Sequence, residues 1–139
     1  MIKIALLLAT IQSISCEWTL GLQMCDNSNE WTLHGLWPEK EDCGGSFDEG
    51  AISDLESVMQ SKWRSCTEYH TTNQDFWQHE WTKHGTCSGL SEHDFFAAGL
   101  SLYSKYASLC SGANGKECEL SCDGAQGPCS SSNQEMVQV

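Results

Sequence analysis

Basic residues are scarce in this sequence: among 139 residues, seven lysines and arginines stand against 19 aspartates and glutamates, which gives a formal net charge of −12. Proteins that bind nucleic acid mainly through its phosphates usually carry a basic surface. So acidic a composition excludes that general mode of binding. Any attraction for a polyanion must therefore be local, or must arise at a pH where the histidines are charged.

Long hydrophobic runs are also lacking, since the longest apolar segment, residues 4–11, is much shorter than the about 20 residues that a membrane-spanning helix needs. This segment follows Lys3 and precedes a small-x-small pattern, an arrangement typical of a secretory signal peptide. We predict a signal peptide over residues 1–16, although a short core strand would also fit the apolar run. Cleavage after Ser15 would keep Cys16, and cleavage after Cys16 would remove it. No membrane partner is predicted, and we expect the mature protein on the secretory route, outside the cell or in a lysosome or vacuole.

The sequence has no pair of cysteines at C-x-x-C spacing, which is the usual signature of a structural zinc site. Nine cysteines in a short chain with a signal sequence instead indicate disulfides formed in an oxidising compartment. Removal of Cys16 with the signal peptide would leave an even number of cysteines. The last four allow three pairings, and the sequence does not choose among them: Cys110, Cys118, Cys122 and Cys129.

Apolar residues at every second position predict two short strands. The first strand has four such residues on one face: Trp18, Leu20, Leu22 and Met24. The second strand covers residues 30–34 and ends at Gly35. In this strand Trp31 and Leu33 share one face, so His34 is predicted on the opposite, polar face.

Helical spacing of apolar residues predicts three helices, over residues 53–66, 76–84 and 91–106. A capping-box pattern opens the first helix, in which Val58 belongs to the buried face. Gly85 ends the second helix as a C-terminal cap.

The sequence changes character after Cys110, where glycines and cysteines predict disulfide-stapled loops rather than strands. A polar tail over residues 130–139 is predicted to be disordered. Taken together, the patterns predict one α+β domain over residues 17–129. Its small antiparallel sheet would pack against several helices and would be stapled by disulfides.

Four titratable side chains are crowded into the second predicted helix: His79, Glu80, Lys83 and His84. At about 100° per residue they span about 140° of the helix surface, and large aromatic residues lie toward the other side. This pattern is typical of a functional site mounted on a helix that packs on a core. The two histidines are five residues apart, whereas the histidines of a zinc-binding helix are four apart. No metal ligand is therefore predicted.

Two segments that contain these groups together resemble the two active-site signatures of the ribonuclease T2 family: Trp31–Pro38, which reads WTLHGLWP, and Phe76–Cys87, which reads FWQHEWTKHGTC. The resemblance extends from about residue 18 to residue 106. It implies an endoribonuclease that cleaves single-stranded RNA with little base specificity, favours acid pH and needs no metal or other cofactor. RNA carries its own nucleophile, the 2′-hydroxyl, so that a base, an acid and cationic donors suffice for cleavage. We expect a monomer.

The resemblance implies a role for each polar side chain of the two signatures. His84 would be the general base and His34 the general acid of a first step that forms a 2′,3′-cyclic phosphate. Lys83 and Glu80 would support the pentacoordinate phosphate, and His79 would hold a phosphate oxygen. In a second step the histidines would exchange roles, and hydrolysis would leave a 3′-phosphate.

The resemblance also implies how a base is bound. Trp37 would stack on a base, a mode of binding that tolerates any base. Glu39 would take part in base recognition, at a position where the family more often has aspartate.

Two disulfides are implied by the same resemblance, Cys25–Cys43 and Cys66–Cys87, of which the second would tie the active helix to its neighbour. Members of the family continue with further strands of the sheet beyond residue 106. In this sequence that region is abbreviated.

Alternatives to this interpretation stay open at this point. The chain could be a catalytically weak or inactive secreted homologue that binds RNA or another partner, or a plain disulfide-rich module such as an inhibitor. Glu80 and Lys83 could form an ordinary ion pair on a helix surface. His79 and His34 could be neutral, hydrogen-bonded structural residues.

Overall fold

A computed structural model describes residues 16–26, 28–67 and 70–131. Within these residues four strands form one antiparallel sheet in the order β2–β1–β3–β4. The strands are β1 (Glu17–Gln23), β2 (Thr32–Trp37), β3 (Glu117–Asp123) and β4 (Cys129–Ser131). The α-helices are α1 (Glu56–Lys62), α2 (Asn73–Lys83) and α3 (Glu92–Tyr106). The predicted α+β class, with its small antiparallel sheet, is therefore confirmed.

The two predicted terminal segments lie mostly outside the described residues. Of the signal peptide predicted over residues 1–16, only Cys16 is described, and its thiol is exposed and free. Of the tail predicted over residues 130–139, Ser130 and Ser131 are described, and both belong to β4.

The core lies where the sheet packs against α3. β1 is the central element because it pairs with β2 along one edge and with β3 along the other. Its apolar residues are at most 7% exposed: Trp18, Leu20 and Leu22. α3 contributes three side chains that are at most 1% exposed: Phe95, Phe96 and Leu102. Burial of each such side chain typically contributes about 1.5–3 kcal/mol, so the predicted first strand and third helix form the main stabilising layer.

β3 contradicts the prediction that only loops follow Cys110. Its seven residues pair with β1 from end to end. Leu120 and Cys122 are buried and alternate with exposed or half-buried polar residues, which is the period-two pattern of a strand with one covered face. Cysteines within the segment and glycines around it obscured that pattern. Two disulfides that the sequence left unassigned fix the strand, Cys110–Cys118 and Cys122–Cys129.

The start of α1 also differs from the prediction. Residues 49–52 form a separate 3-10 turn, and α1 begins only at Glu56. The aspartate before that turn caps it, so the predicted capping box at Ser53 is wrong. Val58, predicted to be buried, is 42% exposed. By contrast, α3 begins where it was predicted, with Ser91 as its N-cap.

The first two disulfides are Cys25–Cys66 and Cys43–Cys87, so the predicted pairs Cys25–Cys43 and Cys66–Cys87 are wrong. The physical reason is the path of the loop that follows β2. A backbone hydrogen bond of 2.8 Å joins this loop to the carbonyl of Lys83, at the end of α2. The loop therefore brings its cysteine to the one that follows α2, and the cysteine after β1 meets the one after α1.

We predict that Gly99→Ala destabilises the fold, although alanine is the better helix former. A β-carbon at Gly99 would lie 2.5 Å from the ring of Trp63. That ring is fully buried, and its N–H donates a hydrogen bond of 3.0 Å to the carbonyl of His34. Overpacking of this kind typically costs about 1–3 kcal/mol, a loss that chemical denaturation would measure.

The matched control is Gly112→Ala, because a β-carbon at Gly112 meets nothing within 4 Å. This variant should unfold at nearly the wild-type denaturant concentration. Equal stability of the two variants would contradict the close packing of Trp63 on α3.

Candidate active site

His34 occupies a β-bulge in β2. Gly35 pairs with Gly21 of β1 and Leu33 pairs with Leu22, which leaves His34 without a residue opposite it. Bulges turn a side chain away from the regular alternation of a strand and occur often beside active sites. The side chain of His34 is 33% exposed, so it can meet a ligand from the surface.

The bulge lets β2 continue beyond Gly35, where the sequence prediction ended it, as far as Trp37. The Trp37 indole lies against Gly35 and its glycine partner in β1, since a β-carbon at either position would collide with the ring. Its Nε1 donates a hydrogen bond of 2.9 Å to Oε2 of Glu80. The ring centroid lies 5.0 Å from that of His34 and 5.6 Å from that of His84. One indole therefore contacts both of the histidines that were predicted to transfer protons.

The surroundings of the His34 ring restrict its orientation. Nδ1 lies 3.1 Å from Oε2 of Glu117 in β3. The edge of Trp37 and the ring of Phe76 flank the imidazole, with centroids 5.0 and 5.9 Å away. The ring is thus held by one polar and two aromatic contacts.

Glu80 is a buried acid on α2, with only 1% of its surface exposed. Burial raises the pKa of Glu80 to about 8, against the lowering effects of the Trp37 hydrogen bond and the Lys83 charge. The carboxyl group is therefore mostly protonated at neutral and acid pH. It is not the surface ion-pair partner of Lys83 that helix spacing alone allowed.

His84 lies just past the regular helix, as the C-cap of α2. Its side chain is nearly buried, and burial together with the charges of Lys83, His79 and His34 lowers the pKa of His84 to about 4. Glu41 Oε1 lies 3.8 Å from Nδ1 of His84, a distance too long for a hydrogen bond. His84 is therefore a neutral imidazole over most of the pH range.

Lys83 provides the fixed positive charge of the site. Its Nζ lies 3.9 Å from Oε2 of Glu41, a residue of the loop after β2 that the sequence had not singled out. The Cys43–Cys87 disulfide holds that loop beside the end of α2. The revised disulfide pairing therefore has a local consequence, because it keeps a carboxylate near Lys83 and His84.

His79 is exposed on α2, with its ring centroid 4.8 Å from that of His70. Partial burial and the charges of His70, Lys83 and His34 lower the pKa of His79. His70 was not among the residues selected from the sequence. Both rings border the same groove as His34.

This groove has a volume of about 480 Å³ and is the open space next to His34. Its lining includes histidines, an aromatic ring and polar groups from β1 and β3: His34, His70, His79, Phe76, Gln23 and Glu117. Glu39 is exposed in the loop after Pro38. Among the described residues it makes no side-chain hydrogen bond or ion pair.

The structure therefore brings together most of the residues selected from the sequence, namely His34, Trp37, Glu80, Lys83 and His84, and it adds Glu41 and Glu117. The signal that could have found Glu117 is the alternation of polar and apolar residues in β3. Among the described residues, no three His, Cys, Asp or Glu side chains lie close enough together to hold a metal ion.

Comparison with known sequences identifies the family. A sequence model of the Ribonuclease T2 family matches residues 5–116. The chain belongs to the ribonuclease T2 family. Ribonuclease DdI of Dictyostelium discoideum is 43% identical to this family member, over 60% of the present chain and 43% of the relative. The chain spans less than half the length of the curated relatives that it matches.

Solved structures agree with the assignment of this chain to the ribonuclease T2 family. Ribonuclease MC1 from the seeds of bitter gourd is 30% identical and superimposes with a TM-score of 0.56, over 65% of this chain and 58% of that one. Human RNase T2 superimposes with a TM-score of 0.68, over 82% of this chain and 88% of that one. The identity in the second comparison is 21%, so it supports the fold alone.

The raised pKa of Glu80 and the lowered pKa of His84 predict that the stability of the fold depends on pH. The ordinary pKa of a glutamate is 4.5 and that of Glu80 in the folded protein is about 8. Between these two pH values the folded protein keeps a proton that the unfolded chain loses. Stability therefore falls as pH rises. His84 acts in the opposite direction between its folded pKa of about 4 and its ordinary value of 6.5, where stability rises with pH. From pH 6.5 to 8 the effect of Glu80 is no longer opposed by His84.

Between pH 6.5 and 8 we expect the wild-type protein to lose about 1–2 kcal/mol of stability, because one pKa unit corresponds to about 1.4 kcal/mol. The Glu80→Gln variant should not show this loss. Denaturation in urea at a series of pH values measures this slope. Glu119→Gln, at an exposed position of β3, is the control and should keep the wild-type slope. A wild-type slope in Glu80→Gln would mean that folded Glu80 is already ionised at pH 6.5.

Proposed function

We propose that this protein is a metal-independent endoribonuclease that cleaves single-stranded RNA with little base specificity. The observation that carries the proposal is the pair of imidazoles in contact with Trp37, which have different surroundings. His84 is nearly buried with a lowered pKa, whereas His34 faces the carboxylate of Glu117. Proton transfer by two histidines requires one neutral ring and one cationic ring at the same pH. Membership of the ribonuclease T2 family supports the same class of reaction.

The first step of the proposed reaction uses the 2′-hydroxyl of RNA as the nucleophile. Neutral His84 takes the proton from this hydroxyl, and the oxygen attacks the adjacent phosphorus. Cationic His34 gives its proton to the departing 5′-oxygen. The products are a 2′,3′-cyclic phosphate and a 5′-hydroxyl. In the second step His34, now neutral, activates water and His84 protonates the 2′-oxygen, which leaves a 3′-phosphate.

Charge on the pentacoordinate phosphate is stabilised by the groups around the two histidines. Lys83 supplies a permanent positive charge next to His84. Glu80 is neutral below pH 8 because burial raises its pKa, and a protonated carboxyl can donate a hydrogen bond to a phosphoryl oxygen without repelling it. His79, at the groove, would hold a further phosphate oxygen when it is protonated.

A nucleobase of the RNA would be bound beside the two histidines and Lys83. Trp37 is half-exposed, and the accessible part of its ring would stack on a base. Its N–H is engaged by Glu80, so the indole would offer its π-face rather than a hydrogen bond, which favours low base specificity. Glu39 would contribute from the neighbouring loop. All of these residues belong to one chain, so the proposal needs no second copy.

An acidic, disulfide-bonded protein of this kind would act on the secretory route, at the cell exterior or in a lysosome or vacuole. The four disulfides of the described residues fit an oxidising compartment. None of the described helices combines the length and the apolar character that a membrane span requires. Acid pH would favour the reaction because it charges histidines in a chain whose net charge is strongly negative.

The decisive experiment is incubation of single-stranded RNA with the protein and identification of the product ends. We expect 2′,3′-cyclic phosphate ends that convert to 3′-phosphates, with no loss of rate in the presence of a chelator. Substitution by alanine of His34 or His84 should lower kcat by about 10²–10⁴-fold. His93→Ala is the matched control, since His93 pairs with Asp54 at the protein surface.

Two results would overturn the proposed reaction: equal cleavage of a 2′-deoxy substrate, or full activity in the His84→Ala protein. A second candidate function is binding of RNA or of another partner without turnover. Binding of RNA without cyclic phosphate ends would support this candidate.

The pH profile of kcat/KM supplies a separate test. The profile should be bell-shaped because one histidine must be neutral while the other is protonated. With His84 as the base of the first step, the acid limb should lie near pH 4, where its lowered pKa is placed. An acid limb near pH 6.5 would contradict the assignment of the buried histidine as the base.

A further inference from the structure

The His34 ring has a carboxylate partner that neither of the two active-site signatures contains. Nδ1 of His34 lies 3.1 Å from Oε2 of Glu117, a residue that follows 83 positions later in the sequence. We propose that Glu117 is a positioning residue that holds His34 with Nε2 directed to the substrate and places a carboxylate behind its ring. This inference rests on the proposed function of His34 as the general acid.

The contact determines which ring nitrogen exchanges a proton. A carboxylate accepts hydrogen bonds, so Nδ1 of His34 carries a hydrogen in the neutral and in the cationic ring. Nε2 is then the nitrogen that gives up and regains a proton. A carboxylate behind an imidazole orients the ring and stabilises the imidazolium in the same way in serine hydrolases. Trp37 and Phe76 flank the ring and limit its rotation.

The backbone brings the two side chains together from different edges of β1. Glu117 lies opposite Gln23 of β1, while His34 belongs to β2 on the other side of β1. The bulge turns His34 out of the alternation of its strand. Cys118 is bonded to Cys110, which anchors the start of β3 beside Glu117. The fold thus places Glu117 where it can reach across β1 to the histidine.

The groups near His34 on other elements are mostly basic. The charge of His79 lowers the pKa of His84, and the charge of His34 lowers the pKa of both. His70 and Lys83 add to this effect on His79. The side of α2 near His34 therefore carries mainly basic side chains.

The acidic groups nearby do not replace Glu117. Glu80 is largely neutral because burial raises its pKa. Glu41 and Asp42 belong to the loop beside Lys83 and His84. Lys116, adjacent to Glu117, is paired with Asp26, so its charge is partly offset. Glu117 is the carboxylate in contact with His34.

The pair is suited to a test by substitution because it contributes little to folding. The side chains of His34 and Glu117 are 33% and 59% exposed, and ion pairs with this exposure add little to stability. Glu117→Gln keeps the size of the side chain and removes its charge. Glu119→Gln, two residues along the same strand and also exposed, is the matched control.

The test measures RNA cleavage across pH and the NMR titration of the His34 imidazole, assigned by its disappearance in His34→Gln. In Glu117→Gln we expect kcat to fall about 10- to 100-fold with KM little changed. This is less than the about 10⁴-fold effect of a buried triad carboxylate, because the pair is partly exposed. The basic limb of the profile and the titration midpoint of His34 should both move to lower pH. Glu117→Asp should recover part of the rate, and Glu119→Gln should match the wild type.

The two readouts separate this inference from the proposed reaction. A wild-type profile and an unchanged His34 midpoint in Glu117→Gln would overturn the role of Glu117 even if the wild-type protein cleaves RNA. If the wild-type protein cleaves no RNA, the proposed reaction fails, and a lower midpoint in Glu117→Gln still supports the orienting contact. A fall in kcat with no movement of either the basic limb or the midpoint would also overturn the inference, because it would indicate a structural effect.

Discussion

The site depends on one hydrogen bond, from the indole N–H of Trp37 to the buried carboxyl of Glu80. It joins β2, which carries His34, to α2, whose C-cap is His84. The indole reaches this position because Gly21 and Gly35 have no side chain, and a β-carbon at either would strike the ring. The position of the Trp37 ring, which contacts both imidazoles, is thus set by close packing on the sheet rather than by flexible side chains. Close packing of this kind resists small displacements.

Burial around that hydrogen bond favours the uncharged form of two groups. Glu80 has its pKa raised to about 8, and His84 has its pKa lowered to about 4. At mildly acid pH both are neutral, and neither would repel the phosphate of the proposed RNA substrate by its charge. For the proposed substrate this would resolve the difficulty posed by a net charge of −12, since attraction for the phosphate would need to come only from nearby basic groups such as Lys83. The acidic surface elsewhere has no part in the proposed chemistry.

The region after residue 110 has a larger role than its composition indicated. β3 is an inner strand of the sheet and pairs with the edge of β1 that β2 leaves open. It also carries Glu117 to the back of the His34 ring. A short segment that was predicted to contain only loops thus supports the sheet and contributes a polar group to the site. Its two disulfides compensate for the small amount of apolar surface that so few residues can bury.

The sequence by itself determined the fold class, the first strand, the start of α3 and the residues grouped at the site, because these depend on local periodicity and on two short signatures. It did not determine the bulge at His34, which depends on the pairing of two strands, or the protonation of Glu80, which depends on burial by distant residues. The disulfide partners also required the tertiary structure, since spacing does not say which loops meet. Glu117 was missed for the same reason: its contact with His34 spans 83 residues. Local patterns identified which residues could act, and only the packing of distant segments decided their neighbours and charges.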